Sequence, residues 1–359
     1  MPSVLDRNPD GGADGFLVPD FYKNFRCKRG ACRRCCCEGW TVAVPESEYF
    51  RLVGLACPQA LRARLDEAFF VPHDASPDRY AVLNHDYLGR CHLRRNDGLC
   101  ALQAELGEAA LPFVCQTYPR SIRRDLGEAT LVNSCEAVVE LLADRKEPIR
   151  FERITPGGPE PGREASDRMR IRRECIEALQ DRSVGIRQRL VRIGSRLCRR
   201  ELRPLPFPAQ MDALLKLAQL YETISPSVGD RCRTAVSVLK GRDEIVYADM
   251  AEALAERFPM LGPLTEHMLV NHLFFEKFPF SDAHETAEDE AMALCGTFAF
   301  ARMLTVGSLE SLKVRGDLID LIADIFRLVE HTRFDHNIDV VLRSCGAEAA
   351  GKAGPTLIV

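Results

Sequence analysis

The chain has 359 residues, 46% of them hydrophobic and 28% charged, with a net charge of −4. That length allows two domains with ordinary cores, and the slightly acidic balance argues against a molecule-wide nucleic-acid surface. No apolar run approaches the roughly 18 residues a membrane span requires, and the opening MPSVLDRNPDGGADGF lacks the basic and apolar regions of a secretory signal.

Residues 1–15 read as a disordered leader. A short amphipathic stretch over 21–25 leads into a cysteine-rich loop. Alternation of Trp40, Val42 and Val44 predicts a short strand, stopped at Pro45-Glu46, with a helix over 46–55 and another over 61–70. Residues 80–83 and 91–93 predict extended pieces around an Asn-His-Asp turn. A helix over 99–108 should end at Gly107. The segment 111–120 carries Cys115 and closes on Tyr118-Pro119-Arg120; residues 125–128 form a turn before an extended 129–134, and Cys135 opens a helix through Leu142.

The Pro- and Gly-rich run TPGGPEPGREAS, residues 155–166, predicts a flexible joint. It separates a Cys-rich domain, residues 16–150, from a helical domain, residues 167–346. Helix is expected over 167–202, continuous or as a pair, with Ile176, Leu179, Ile186, Leu190, Ile193 and Leu197 on one stripe. Further amphipathic helices are expected over 211–224, 247–258, 264–277, 285–306 and 309–331, and residues 347–359 form a frayed tail. The fold class is therefore mostly α with a few short β-strands. Between 167 and 203 there are 12 arginines against 5 acids, a balance of +7. Without aromatic interleaving this reads as a solvated or protein-docking face rather than a nucleic-acid site.

Fifteen cysteines without an export signal suggest metal or redox chemistry before disulfides. Cys27, Cys32, Cys36 and Cys37, with an extra Cys35, form a tight first set; Cys91, Cys100, Cys115 and Cys135 form a second. Soft thiolates bind zinc, iron and iron–sulfur clusters. Adjacent Cys36 and Cys37 can share a centre only from an irregular backbone. The spacing is not that of a zinc ribbon, which leaves a four-thiolate site drawn from both sets, or more than one site. A cluster is favoured over zinc because it tolerates irregular loops. His85 and His92 flank the second set as lesser ligand candidates, and Cys57, Cys175, Cys198, Cys232, Cys295 and Cys345 read as buried thiols.

These residues carry a resemblance. Phe25-Arg26-Cys27, Cys32 and Cys36-Cys37-Glu38-Gly39-Trp40 are similar to the motif F-x-C-x4-C-x3-C-C-x-G-W of the flagellin lysine-N-methylase family. Cys91, the run Gly98 to Glu108, Cys115-Gln116-Thr117-Tyr118-Pro119-Arg120 and Asn133-Ser134-Cys135-Glu136 continue it. Residues 269–272, 278–280 and 329–331 look like the family's later segments, so the likeness runs over most of 16–345. It implies a cytoplasmic protein-lysine N-methyltransferase that uses S-adenosylmethionine on flagellin and holds an iron–sulfur cluster, 4Fe–4S favoured, or zinc. Two departures stand out: Cys35 makes a pair into a triplet, and Lys28, Arg29, Arg33 and Arg34 make the loop basic. Those cations either lower thiol pKa values or lie idle on the surface.

No G-x-G-x-x-G nucleotide loop follows a strand, and no C-x3-C-x2-C radical triplet occurs. A neutral lysine attacks a sulfonium methyl directly once its proton has gone. Tyr118, Arg120 and His272 are the candidates for this chemistry, with Arg120 assigned to the donor's carboxylate. Glu330 and His331 are further polar residues on an otherwise apolar helix, and Trp40 reads as an anchor beneath the loop. The rival reading is a non-enzymatic metal-binding or electron-transfer module with a helical interaction domain.

Overall fold

The computed structural model describes residues 15–87, 89–154, 163–224, 228–279, 286–342 and 356–359. The fold is mostly helical, with a Cys-rich N-terminal region of short elements and a helical C-terminal part. The N-terminal region contains α1 (Glu46–Val53), α2 (Gln59–Glu67), α3 (Ala101–Leu106), α4 (Phe113–Thr117) and α5 (Glu136–Asp144). Its strands are β1 (Leu17–Pro19), β2 (Ala43–Val44), β3 (Phe69–Phe70), β4 (Ala81–Leu83), β5 (Arg120–Arg123), β6 (Glu128–Leu131) and β7 (Phe151–Arg153). They form an antiparallel sheet β2-β4-β3 and a sheet β5-β6-β1-β7, in which β1 runs parallel to β6 and antiparallel to β7.

The helical part comprises α6 (Arg163–Leu179), α7 (Ile186–Leu197), α8 (Phe207–Ile224), α9 (Gly229–Leu239), α10 (Glu244–Arg257), α11 (Leu261–Phe275), α12 (Ala287–Gly307), α13 (Arg315–His331) and α14 (Phe334–Leu342). The helix expected over 167–202 is a pair, broken around Gly185, the N-cap of α7. Sequence reading missed α9 and α14. The segment from 309 to 314 lies outside α13, whose first turn is fixed where Asp317 accepts the backbone N–H groups of Lys313 and Val314. Residues 69–70, expected as the end of a helix, are strand β3 instead, because they pair with β4.

Two apolar cores follow a discontinuous path. The smaller gathers residues such as Val44, Leu52, Leu61, Leu83, Leu93 and Leu102 around the sheet β2-β4-β3. The larger contains the helical part and also Phe16, Val18, Tyr22, Phe25, Leu131, Val138 and Leu142. The chain thus begins in the large core, leaves it for the Cys-rich fold between residues 42 and 115, and returns through β6 and α5. The proposed joint over 155–166 lies largely outside the described residues, as do the leader over 1–14 and residues 347–355 of the tail. The last four residues are not frayed: β8 (Arg203–Pro204) pairs with β9 (Thr356–Leu357), and Leu357, Ile358 and Val359 are buried. Burying three aliphatic side chains outweighs the fraying expected of a terminus. None of the described helices is long and apolar enough to cross a membrane.

Most arginines of the arginine-rich stretch are exposed, as expected of a solvated face, but several of them tie elements together. Arg172 pairs with Glu128 in β6, Arg189 with Glu266 in α11 (2.7 Å), and Arg196 with Glu174 across the α6–α7 pair (2.6 Å). The buried Arg172 and Arg189 fasten their helices to neighbouring elements.

Candidate metal centre

The two cysteine sets meet. Cys27, Cys32, Cys35, Cys36, Cys37, Cys91, Cys100, Cys115 and Cys135 all line one cavity of about 110 Å³. The backbone brings them there. The Cys91 N–H donates to the Cys37 carbonyl (2.8 Å), the Gly39 N–H to the Gly89 carbonyl (3.2 Å), and Arg94 pairs with Glu38. Gly30 and Gly98 let the loops touch: a Cβ on Gly98, whose φ is +81°, would sit 2.8 Å from the Gly30 carbonyl oxygen. Cys100 and Cys135 occupy the N-cap positions of α3 and α5, and Cys115 lies within α4.

The sulfurs of Cys35, Cys36 and Cys37 lie within 4.8 Å of one another, so Cys35 belongs to the group rather than standing apart from it. Hydrogen bonds among these three thiols lower the pKa of Cys35 and raise those of its two neighbours. Burial, reinforced by the other sulfurs, pushes Cys32 and Cys135 up to about 12 and Cys91 to about 11, and raises Cys115 further. Crowded buried thiolates are unfavourable alone, and a bound cation reverses that balance. All fourteen described cysteines are free of disulfides. Cys175, Cys232 and Cys295 are buried, Cys57 and Cys198 half-buried, and Cys345 lies outside the described residues. Neither His85 nor His92 lines the cavity.

Three of the basic loop residues, Lys28, Arg33 and Arg34, do not lie idle but pair with carboxylates. Lys28 binds Glu136 and Glu140 on α5, Arg33 binds Asp320 (3.0 Å) and Arg34 binds Asp324 (3.1 Å), both on α13. Glu136, fully buried, also accepts the Arg34 N–H at 2.6 Å. Arg327 of α13, 2% exposed, donates to the carbonyls of Arg34 (2.8 Å) and Glu38 (3.1 Å). Helix α13 therefore clamps the cysteine loop from the helical side.

Beside the cavity a polar chain runs inward. Tyr118 lines the cavity, and its hydroxyl meets the Ser134 hydroxyl at 3.2 Å, which in turn meets His331 Nε2 at 2.8 Å. The Trp40 ring stacks on His331 (4.4 Å) and lies 5.7 Å from Tyr118, while its indole N–H donates to the Cys36 carbonyl (2.8 Å). Below them Glu330 accepts the N–H groups of Asn133 (3.1 Å) and Ser134 (3.0 Å). Burial raises Glu330 to about 8 and lowers His331 to about 4. His272 lies deeper, its Nδ1 4.0 Å from Glu330, and does not line the cavity. Arg120 is buried, with its guanidinium 5.6 Å from the Tyr22 ring and 5.1 Å from that of Phe25, bracing the segment that enters the loop. The sequence marked His272, Glu330 and His331 as polar residues on otherwise apolar helices and Trp40 as an anchor beneath the loop. It gave Ser134, Asp324 and Arg327 no role, since what identifies them is which loop they reach across the fold.

Comparison with known proteins gives a distant, partial likeness. The chain is 26% identical over 103 residues to a lysine-N-methylase of Salmonella choleraesuis and 25% identical over 103 residues to that of Salmonella typhimurium, in each case 29% of this chain and 25% of the relative. It is 26% identical over 104 residues to the flagellar biosynthetic protein FliU of Salmonella muenchen, covering 60% of that protein. The chain thus spans about a quarter of the length of the curated methylases it matches, a shorter stretch than the motif likeness over 16–345. No family model matches, and no solved structure does.

Proposed function

We propose that this chain is an S-adenosylmethionine-dependent protein-lysine N-methyltransferase acting on flagellin in the cytoplasm, with an iron–sulfur cluster held in the cysteine cavity and zinc as the alternative occupant. The likeness to lysine-N-methylases carries the reading. The donor set supports it: nine thiols face one cavity of about 110 Å³, room for more than a single ion, and soft sulfur ligands suit iron–sulfur or zinc. Ligands would come from Cys27, Cys32, Cys36, Cys37, Cys91, Cys100, Cys115 and Cys135, and the sulfur geometry adds Cys35.

Methyl transfer to lysine asks the protein for three things: removal of the ammonium proton, exclusion of water, and in-line placement of the amine. The cluster, when bound, supplies an electrophilic anchor for polar groups of the donor. Tyr118, which lines the cavity, and Trp40 beside it would hold the lysine's alkyl chain and cation against their rings. Ser134 would fix the Tyr118 hydroxyl, and the neutral His331 ring beyond it would be the proton-accepting end of the chain, with Glu330 and His272 buried behind. Arg120 is the proposed partner of the donor's carboxylate. The test is anaerobic purification with iron, sulfide and zinc analysis, then incubation with flagellin and S-adenosylmethionine. Flagellin lysines gaining methyl groups by mass spectrometry is the expected result. Metal-loaded protein that neither binds the donor calorimetrically nor methylates flagellin overturns the reading. In Arg120→Ala, donor binding should vanish with metal retained; metal loss instead assigns Arg120 to bracing alone.

A further inference from the structure

A second cavity, of about 510 Å³, lies within the helical part and is lined by no cysteine. Its walls are apolar side chains of α10 to α13, among them Leu254, Leu269, Phe298 and Phe326. The volume falls in the range of small-molecule sites, roughly 300–1,000 Å³. Nothing in the proposed methyl transfer uses it.

Three polar features of the wall decide what it could hold. Glu266 is gripped by Arg182 (2.8 Å) and Arg189 (2.7 Å), so this acid is already paired. Thr265 and Thr305 donate to carbonyls one turn back, at 2.8 and 2.6 Å, as helical threonines commonly do. Thr297 differs: it is fully buried, lines the same cavity, and its hydroxyl has no hydrogen-bond partner among the described residues. A buried hydroxyl left unpaired costs about 1–3 kcal/mol, a cost that a guest oxygen would remove. Arg302, one and a half turns on along α12, reaches over the Tyr247 ring at 5.2 Å and makes no ion pair among the described residues. It also borders a smaller cavity of about 60 Å³ that Arg187 lines. Burial, and then the Arg302 charge, lower the Arg187 pKa, while Glu244 acts in the opposite direction without reaching ion-pair distance. Arg302 thus brings to the wall of the large cavity a cation without an ion-pair partner among the described residues.

We propose that this cavity binds an amphipathic monocarboxylate, its apolar body between Leu254, Leu269, Phe298 and Phe326 and its carboxylate against Arg302, with the Thr297 hydroxyl a second donor to the guest. A neutral apolar guest would fill the walls but leave Arg302 unanswered. A nucleotide or other polar anion would find too few partners along the walls. The inference is independent of the methylase reading, because its readout needs neither metal nor methyl donor.

The experiment is calorimetric titration of the full chain with dodecanoate, and with dodecan-1-ol as the uncharged match. Saturable one-to-one binding of dodecanoate is expected. Arg302→Gln should weaken dodecanoate about tenfold, the loss of one charge-assisted pair, and leave dodecan-1-ol nearly unchanged. Ala301→Trp, which fills the cavity, should abolish both; Ala255→Phe, at a more exposed part of the wall, does the same job should Ala301→Trp fail to fold by circular dichroism. Absence of saturable dodecanoate binding overturns the proposal. So does an Arg302→Gln substitution that changes the affinities for acid and alcohol by the same factor, or unchanged binding in the cavity-filling variant that folds.

Discussion

The Cys-rich fold and the helical part reach stability by different routes. Between residues 42 and 115 the elements are short, the strands run two or three residues, and the core is small. What fixes the geometry there is contact between loops: backbone bonds from Cys91 to Cys37, the Gly30–Gly98 approach, and the sulfurs around their cavity. The helical part has helices of up to 21 residues and a continuous core in which Phe300, Phe326 and Phe334 are almost wholly buried. A region with little apolar area to bury needs covalent or metal staples, whereas a large one does not. The two routes make separable predictions.

The largest effect should come from removing the metal. Chelation, or Cys36→Ser and Cys115→Ser, should strip bound iron or zinc and open the Cys-rich fold, at a cost of several kcal/mol. Amide exchange should then rise over residues 27–115 while α8 to α13 stay protected; equal loss in both regions would break the contrast. Cys35→Ser sharpens it. If the Cys35 sulfur is a ligand, as its place in the triplet suggests, metal content should fall as far as in Cys36→Ser.

Next comes the converse. Phe300→Ala should cost about 3–5 kcal/mol in the helical core yet leave metal content unchanged, read by chemical denaturation and elemental analysis together. Smaller again is the clamp between the regions. Arg327→Ala should cost about 2–3 kcal/mol by leaving the carbonyls of Arg34 and Glu38 without their donor, with Arg34 the remaining cation beside the buried Asp324. Raised exchange at residues 34–38, with α8 unaffected, is the expected pattern.

The smallest effect is a slope with pH. Glu330 is raised to about 8 from an ordinary value of 4.5, so the stability it contributes is greatest below 4.5 and is lost as pH rises through 8. His331 is lowered to about 4 from 6.5, so its contribution is lost only as pH falls below 6.5. Between about pH 6.5 and 8 the two separate: the urea midpoint should drop with rising pH, and Glu330→Gln should flatten that drop. An unchanged slope in the variant would mean that Glu330 is already ionised across this window.

The helices from α6 to α8 and α10 to α13 were legible because apolar residues recur at helical spacing over many turns. Short α9 and α14 were not, since Cys232, Ala235 and Leu239, or Phe334 and Ile338, make too brief a stripe to be told from loop. The strands β1 and β7 escaped notice because three residues carry no period, and only pairing to each other and to β6 makes them a sheet. At the site, thiol chemistry and spacing marked cysteines able to hold a metal, but the place of Cys35 among them depended on where its sulfur lies.

By itself, the sequence determined the mostly helical class, the two cysteine sets and the kind of ligand they could hold, because periodicity and side-chain chemistry are local properties. Only the tertiary structure decided that both sets face one cavity, that acids of α5 and α13 pair with the basic loop, and that a guest-sized space remains among the helices. Those are relations between residues tens to hundreds of positions apart, and distance in space is not written in any one of them.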